Sequence, residues 1–197
     1  MWKIIKLELD KLKIPYMISF GLAIIYGVAM IILSLSGYHY NYNIEVWDES
    51  GEIFSFFFPL FAVIPTCWLM YFERKNHFIF YTIARVSTMK YLFTKWLVSS
   101  AGGALVIFSV SFVSLIICLY FIPDIEPAQN DYAIRNFAGY YFVNHPFIYG
   151  LVLSVWKAVL GYLMASFGFV ISLYYRNLFV VLTGPFVYYV LENFILS

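Results

Sequence analysis

The sequence predicts an all-α protein, a bundle of membrane-crossing helices, and three observations carry that reading. Of its 197 residues, 63% are apolar and 12% are charged, against roughly 45–50% and about 25% in soluble domains. A soluble fold of this length leaves much of its chain at the surface and cannot hide so much apolar area. Second, five continuous apolar stretches reach the roughly 20 residues a helix needs to cross the hydrocarbon core. They lack the two-residue alternation of barrel strands, and a helix satisfies its own backbone in lipid. Third, 21 Phe, 18 Tyr and 5 Trp suit a protein with two long membrane–water interfaces. The net charge of +1 gives no broad basic surface for nucleic acid. Cys67 and Cys118 lie inside apolar runs, with neither metal-site spacing nor a disulfide framework.

Taken in order, residues 1–13 form an amphipathic segment. Trp2, Ile5, Leu9, Leu12 and Tyr16 recur at spacings of three and four, with Lys3, Lys6, Asp10 and Lys13 facing away. This predicts an interfacial helix in the headgroup plane, with Pro15 bending the chain into span one. Span one is 14–36, a retained anchor, because its apolar run is too long for a signal peptide and no cleavage pattern follows. An outer loop, 37–52, rich in Tyr, Asn and acid, leads to span two, 53–72, which is uncharged and contains Pro59 and Pro65. The connection 73–95 is too long for a tight turn and too apolar for a solvated loop. Span three is 96–122. A second outer loop, 123–146, holds a short interfacial helix within 132–143. Span four is 147–175 and span five 178–196, where Gly184-Pro185 marks a kink or discontinuity.

Orientation follows from Lys and Arg. If the spans alternate, Lys3, Lys6, Lys11, Lys13, Arg74, Lys75, Arg85, Lys90, Lys95 and Arg176 share one side. The other side carries Arg135 among seven acidic residues. The N-terminus is therefore expected in the cytoplasm, and so is 73–95. Within that connection, Phe78, Tyr81 and Arg85 share one helical face, as do Ile79 and Ile83. This predicts a short interfacial helix over His77–Arg85, a break near Val86-Ser87, and Ser87 as N-cap of the next helix. Such an element is either a docking surface for a partner or a membrane-surface linker.

Span four carries a stripe of small residues, Gly150, Ser154, Ala158, Gly161, Ala165, Gly168 and Ser172. Small residues let helices approach closely in lipid, either within one subunit, at a subunit seam or along a substrate path. Lys157 and Glu192 are the charges well inside spans, where ionisable groups are costly and point to function. Counted from Arg176 at about 1.5 Å per residue, they lie roughly 28 and 24 Å deep. They are either a candidate ion pair or two side chains snorkelling to the outer interface. Nucleotide loops, zinc-protease motifs and nucleophile elbows are absent, and His39, His77 and His145 are scattered. The chain is not expected to be an enzyme.

The layout resembles the ABC-2 family of ATP-binding-cassette permeases. "ELDKLK", Glu8–Lys13, is similar to the family's amphipathic N-terminal elbow. Glu73, followed by "IARVSTMKYLFTK" ending at Lys95, is similar to its pattern of an acidic residue, a coupling helix, a short break and a lysine entering span three. Val86 stands where proline is frequent and His77 where glycine often follows the acid; the family usually has six spans, against five here. The resemblance implies a multi-pass subunit of a bacterial cytoplasmic membrane, paired with a like or unlike second permease. A separate ATPase would hold ATP and Mg, this chain having no cofactor of its own. Glu73, His77, Phe78, Tyr81, Ile83 and Arg85 would form the coupling surface. The implied substrate is an amphipathic peptide or hydrophobic compound, as in short permeases that export or confer immunity to antimicrobial peptides. Two rival readings are the substrate-binding membrane subunit of a small-molecule importer and a non-transport scaffold or sensor.

Overall fold

A computed structural model describes residues 2–37, 40, 42–76, 87–123, 139–175 and 177–196. Among them every regular element is helical: α1 (Trp2–Gly37), α2 (Asn43–Lys75), α3 (Thr88–Tyr120), the short α4 (Gly139–Asn144), α5 (Pro146–Tyr174) and α6 (Leu178–Leu196). Four described stretches are long and apolar enough to cross a membrane: Ile5–Leu33, Thr88–Tyr120, Pro146–Tyr174 and Leu178–Ile195. The expected span 53–72 lies within α2, whose described apolar stretch is Phe54–Ile64.

The helix ends are set locally. Pro146 opens α5, where its missing N–H costs nothing. The Phe179 N–H donates to the Asn177 side-chain oxygen at 3.0 Å, capping α6. Ser87 occupies the N-cap position of α3, where its carbonyl accepts from the Tyr91 N–H at 3.1 Å while its side chain makes no cap bond. Arg74 and Lys75 close α2, where cations favour the negative end of the helix dipole.

The long helices run alternately up and down. Near its start α3 meets the end of α2 through Lys95 and Glu73; near its end Ser111 meets Trp47. α5 lies antiparallel to α3, with Ser154 on Ser111 and Ser166 on Ser100. α1 runs parallel to α3, from Tyr16 on the Val98 carbonyl to Gly27 beside Ser114. α6 packs on α2 and α5, with Phe186 stacked on Phe57 and Tyr188 against Phe167. One end of the bundle therefore gathers the start of α1, the end of α2, the start of α3, the end of α5 and the start of α6. We call it the basic end.

Burial is distributed as a lipid-embedded bundle requires. Ser19, Ala23, Ser99, Ser100, Ser154 and Ala165 are buried, while Ile25, Leu105, Val152 and Phe179 are exposed. Lipid tails are as apolar as leucine, so large aliphatic side chains gain nothing by turning inward, whereas small ones permit close helix approach. The span-four stripe follows this rule within the chain. Gly150 faces Leu115, Gly161 faces Ile107, and Gly168 faces Val63 and Cys67; Ala158 is half-buried.

Three expectations need correction. α2 begins at Asn43, so 43–52 is helix where an outer loop was expected. Ile44, Trp47 and Phe54 bury one side of it while the acids share the rest. α1 runs unbroken through Pro15, so the described residues of 1–13 are the first part of α1 and not a separate helix. A proline removes one N–H bond but neighbouring helices compensate in a packed bundle. α6 likewise continues through Pro185, with Gly184 against Ile171, which removes the discontinuity but not the kink. The short helix expected within 132–143 is described as α4, of which Phe142 is buried; 132–138 lie outside the described residues.

Gly103 is a close crossing at which α3 meets both α5 and the backbone of α2. A Cβ there would stand 2.6 Å from the Ala165 Cβ and 2.8 Å from the Ala62 carbonyl oxygen. Gly21, on the lipid side of α1, has nothing within 4 Å. Gly103→Val should lower stability by about 1–3 kcal/mol, as overpacking does, while Gly21→Ala should be neutral or stabilising. Thermal unfolding of the two variants in detergent checks the contrast.

Candidate functional site at the basic end

Glu8 lies on α1, Glu73 at the end of α2, and Tyr91 and Lys95 in the first turns of α3. The folding of these three helices brings them together. Lys11 Nζ lies 3.0 Å from Glu8 Oε1 and 3.2 Å from Glu73 Oε1. Lys95 Nζ lies 3.1 Å from Glu8 Oε2 and also pairs with Glu73 Oε2. Each lysine thus bridges both carboxylates, each carboxylate gives one oxygen to each lysine, and the four charges close into a neutral ring. The Tyr91 hydroxyl donates to Glu73 Oε2 at 2.7 Å. The Lys95 and Glu8 side chains are each only 5% exposed, against 46% for Lys11. Lys11 is therefore the wet corner of the ring.

The adjacent residue of α2 reaches a different neighbour. Arg74 donates to the Ser172 carbonyl at 3.2 Å and to the Leu173 carbonyl. These are orphan acceptors at the C-terminus of α5, where a cation is favoured. Successive helical residues point about 100° apart, so Glu73 binds α1 and α3 while Arg74 binds α5. The end of α2 becomes a four-helix joint.

Of the sequence-predicted coupling residues, Glu73 is in the ring. His77, Phe78, Tyr81, Ile83 and Arg85 lie outside the described residues. The ring begins and ends that stretch, with Glu73 just before it and Tyr91 and Lys95 just after. The sequence reading matched "ELDKLK" and Lys95 to a motif without joining them. Their signal was the i,i+3 pair Glu8 and Lys11, and a lone Lys95 entering an apolar run.

The candidate pair Lys157–Glu192 does not form: no ion pair within 4 Å joins them among the described residues. Glu192 sits in the last turn of α6, exposed with its neighbours 191–195. Lys157 Nζ lies 4.8 Å from the Trp47 ring centroid, a cation–π distance, with Asp48 and Glu52 as its charged neighbours. These partners belong to the part of α2 expected as loop. Trp47 in turn donates to the Ser111 carbonyl at 3.0 Å.

Among the described residues no group of three or more His, Cys, Asp or Glu could hold a metal ion. Two interior cavities lined wholly by described residues, one beside Trp47 and Lys157 and one beside Glu8 and Lys95, measure about 10 Å³ each, room for one water. No family model, curated protein or solved structure matches this chain.

Breaking a buried ion pair on one side strands the other charge at a cost of about 3–5 kcal/mol, whereas apolar replacement of the whole set is often neutral. Lys95→Met should therefore destabilise by that order, and adding Glu8→Gln and Glu73→Gln should restore much of the loss. Thermal melts of the single and triple variants test this non-additivity.

Burial alone would raise the Glu73 carboxyl. The charge of Lys95, hydrogen bonds from Lys95 and Tyr91, and the charge of Lys11 instead hold it below its ordinary 4.5. A depressed carboxyl contributes stability above its unfolded value, and that contribution is lost as pH falls through the folded one. Stability should be flat near neutrality and decline below about pH 4.5. Glu73→Gln should flatten that acid limb in melts recorded from neutral to acid pH.

Proposed function

We propose that this chain is the membrane-spanning subunit of an ABC exporter of the ABC-2 type, coupling to a separate ATPase. The observation that carries the reading is the ring of Glu8, Lys11, Glu73 and Lys95, reinforced by Arg74 on α5. The segment between Glu73 and Lys95 is the expected docking element, and the ring fastens both its ends to α1. A push on that segment would then act on α1, α2 and α3 as one body. Coupling needs such a physically contiguous route.

On this reading α2 makes the fifth crossing. Its 33 residues span about 50 Å at 1.5 Å per residue, ample for a bilayer, and it lies alongside α3 and α5 from Trp47 to Arg74. The concentration of Lys and Arg at the basic end supports a cytoplasmic N-terminus in a bacterial cytoplasmic membrane. On this reading the path runs between two permease subunits, as the resemblance implies. An amphipathic peptide or hydrophobic compound entering from the lipid is the substrate class that fits. ATP and Mg belong to the partner ATPase.

Charged replacement of Phe78, Tyr81 and Ile83 should abolish co-purification of an ATPase encoded beside this gene and its stimulation by the reconstituted permease. Size-exclusion chromatography of the variant checks that the bundle is intact. Undiminished ATPase recovery by an intact variant overturns the coupling assignment.

A further inference from the structure

A second feature lies on the lipid-facing side of the bundle, apart from the ring. Between α1 and α3 runs a groove of about 460 Å³, lined by Leu9, Tyr16, Phe20, Ala101, Leu105 and Ser109 among others. Its floor is low because α3 presents small side chains there; a Cβ on Gly102 would overlap the Tyr16 ring. Its polar groups are already engaged. The Tyr16 hydroxyl donates to the Val98 carbonyl at 3.1 Å, and the Ser109 hydroxyl donates to the Leu105 carbonyl at 2.7 Å. The groove therefore offers only apolar contact. Along α1 it extends from Ile5 to Phe20, about 22 Å at 1.5 Å per residue, more than the ~15 Å half-thickness of the hydrocarbon core.

The edge of the groove is charged. At about 100° per residue Lys6 lies about 60° from Leu9, and Lys13 lies within about 60° of both Leu9 and Tyr16, so both flank the lining residues on α1 and do not face away from them as the apolar spacing suggested. Both are exposed, and neither has an ion pair within 4 Å among the described residues. Asp10 sits between them, leaving a net positive edge. Lys11, by contrast, is taken up by the ring. A basic edge beside an acyl-sized apolar slot, towards the N-terminal end of the bundle's first helix, is complementary to an anionic lipid.

We propose that this groove binds one acyl chain of an anionic glycerophospholipid, whose phosphate meets Lys6 and Lys13. A second copy of the chain fits the face less well. A two-fold interface here would bring the two lysines of one copy towards the same residues of the other, and like charges facing each other oppose association.

The test uses the full chain in phosphatidylcholine vesicles containing phosphatidylglycerol with a photoactivatable acyl chain; a matched phosphatidylcholine probe is run in parallel. Labelled residues are mapped by mass spectrometry. The anionic probe should label 5–20 and 97–109 in excess over the exposed end of α6, and the zwitterionic probe should not. Lys6→Gln with Lys13→Gln should reduce that excess roughly thirtyfold at low salt, the two basic residues each contributing about fivefold at an anionic surface. Ala101→Phe, which fills the groove but keeps both charges, should also remove it. Uniform labelling of every lipid-facing helix, or equal labelling by both probes, overturns the proposal. So does crosslinking of the groove to a second copy. The comparison of the two probes on the unaltered protein stands even if a variant misfolds.

Discussion

Close approach between α3 and α5 is the constraint on which this bundle depends. In hydrocarbon an apolar side chain gains nothing by exchanging a lipid neighbour for a protein one, so helices adhere only where backbones come near enough for dispersion and short hydrogen bonds. Gly103 and Ala165 bring the two helices together at mid-length, Gly161 receives Ile107, and Gly150 receives Leu115. Hydroxyl contacts flank the crossing: Ser111 with Ser154 at 2.9 Å on one side, and Ser100 and Trp96 with Ser166 at 2.8 and 2.9 Å on the other. The rest of the arrangement is built on this pair. The Ala62 carbonyl region of α2 seats over Gly103, and α1 lies on α3 through Gly27 and Gly102.

The same environment explains how the bundle treats charge. An isolated ammonium or carboxylate drawn into a low-dielectric interior is expensive, and mutual attraction offsets that only with good geometry. The four-membered ring meets this condition. It is neutral, both lysines have two acid partners, and Lys11 keeps contact with water. Lys157 meets the same problem differently, with the π face of Trp47 against its ammonium and the field of Asp48 and Glu52 around it. One arrangement can be pulled apart only by separating three helices. The other holds α5 to α2 alone.

Much of this architecture was legible as pattern. Continuous apolar runs located the helices, and the steps of three and four along span four marked its packing face before any neighbour was known. What escaped was azimuth and the extent of helices under polar sequence. The acids at 45–52 read as loop because composition outweighed period, although Ile44, Trp47 and Phe54 already repeat at helical spacing. Lys157 and Glu192 were matched by depth alone, whereas Glu192 lies in the exposed end of α6 and Lys157 turns to Trp47. The ring joins residues up to 87 positions apart, Glu8 to Lys95; the local Glu8–Lys11 spacing and the Lys95 entering an apolar run mark its members but not their meeting. Proline was also overweighted as a helix breaker: Pro15 and Pro185 both sit inside helices.

The joint at the end of α2 has a mechanical consequence for the proposed function. Because Glu73 and Arg74 are consecutive yet bind different helices, α2 cannot rotate about its own axis without straining both attachments. A load applied beyond Asn76 therefore has two outlets. It can tilt α1, α2, α3 and α5 together, or it can slide α6, which packs on α2 and α5 largely through aromatic rings and leaves Tyr188, Leu191, Phe194 and Ile195 to the lipid. Aromatic pairs have preferred offset or edge-to-face geometries, but each is worth only about 0.5–1.5 kcal/mol beyond its area burial, less than the cost of breaking a buried ion pair. Among the described residues the ion-pair ring and the glycine crossing tie α1, α2, α3 and α5, whereas no ion pair ties α6. Motion coupled to a partner at the basic end would reach the opposite face of the bundle as a change in how α6 and its lipid-exposed edge are presented to a second subunit.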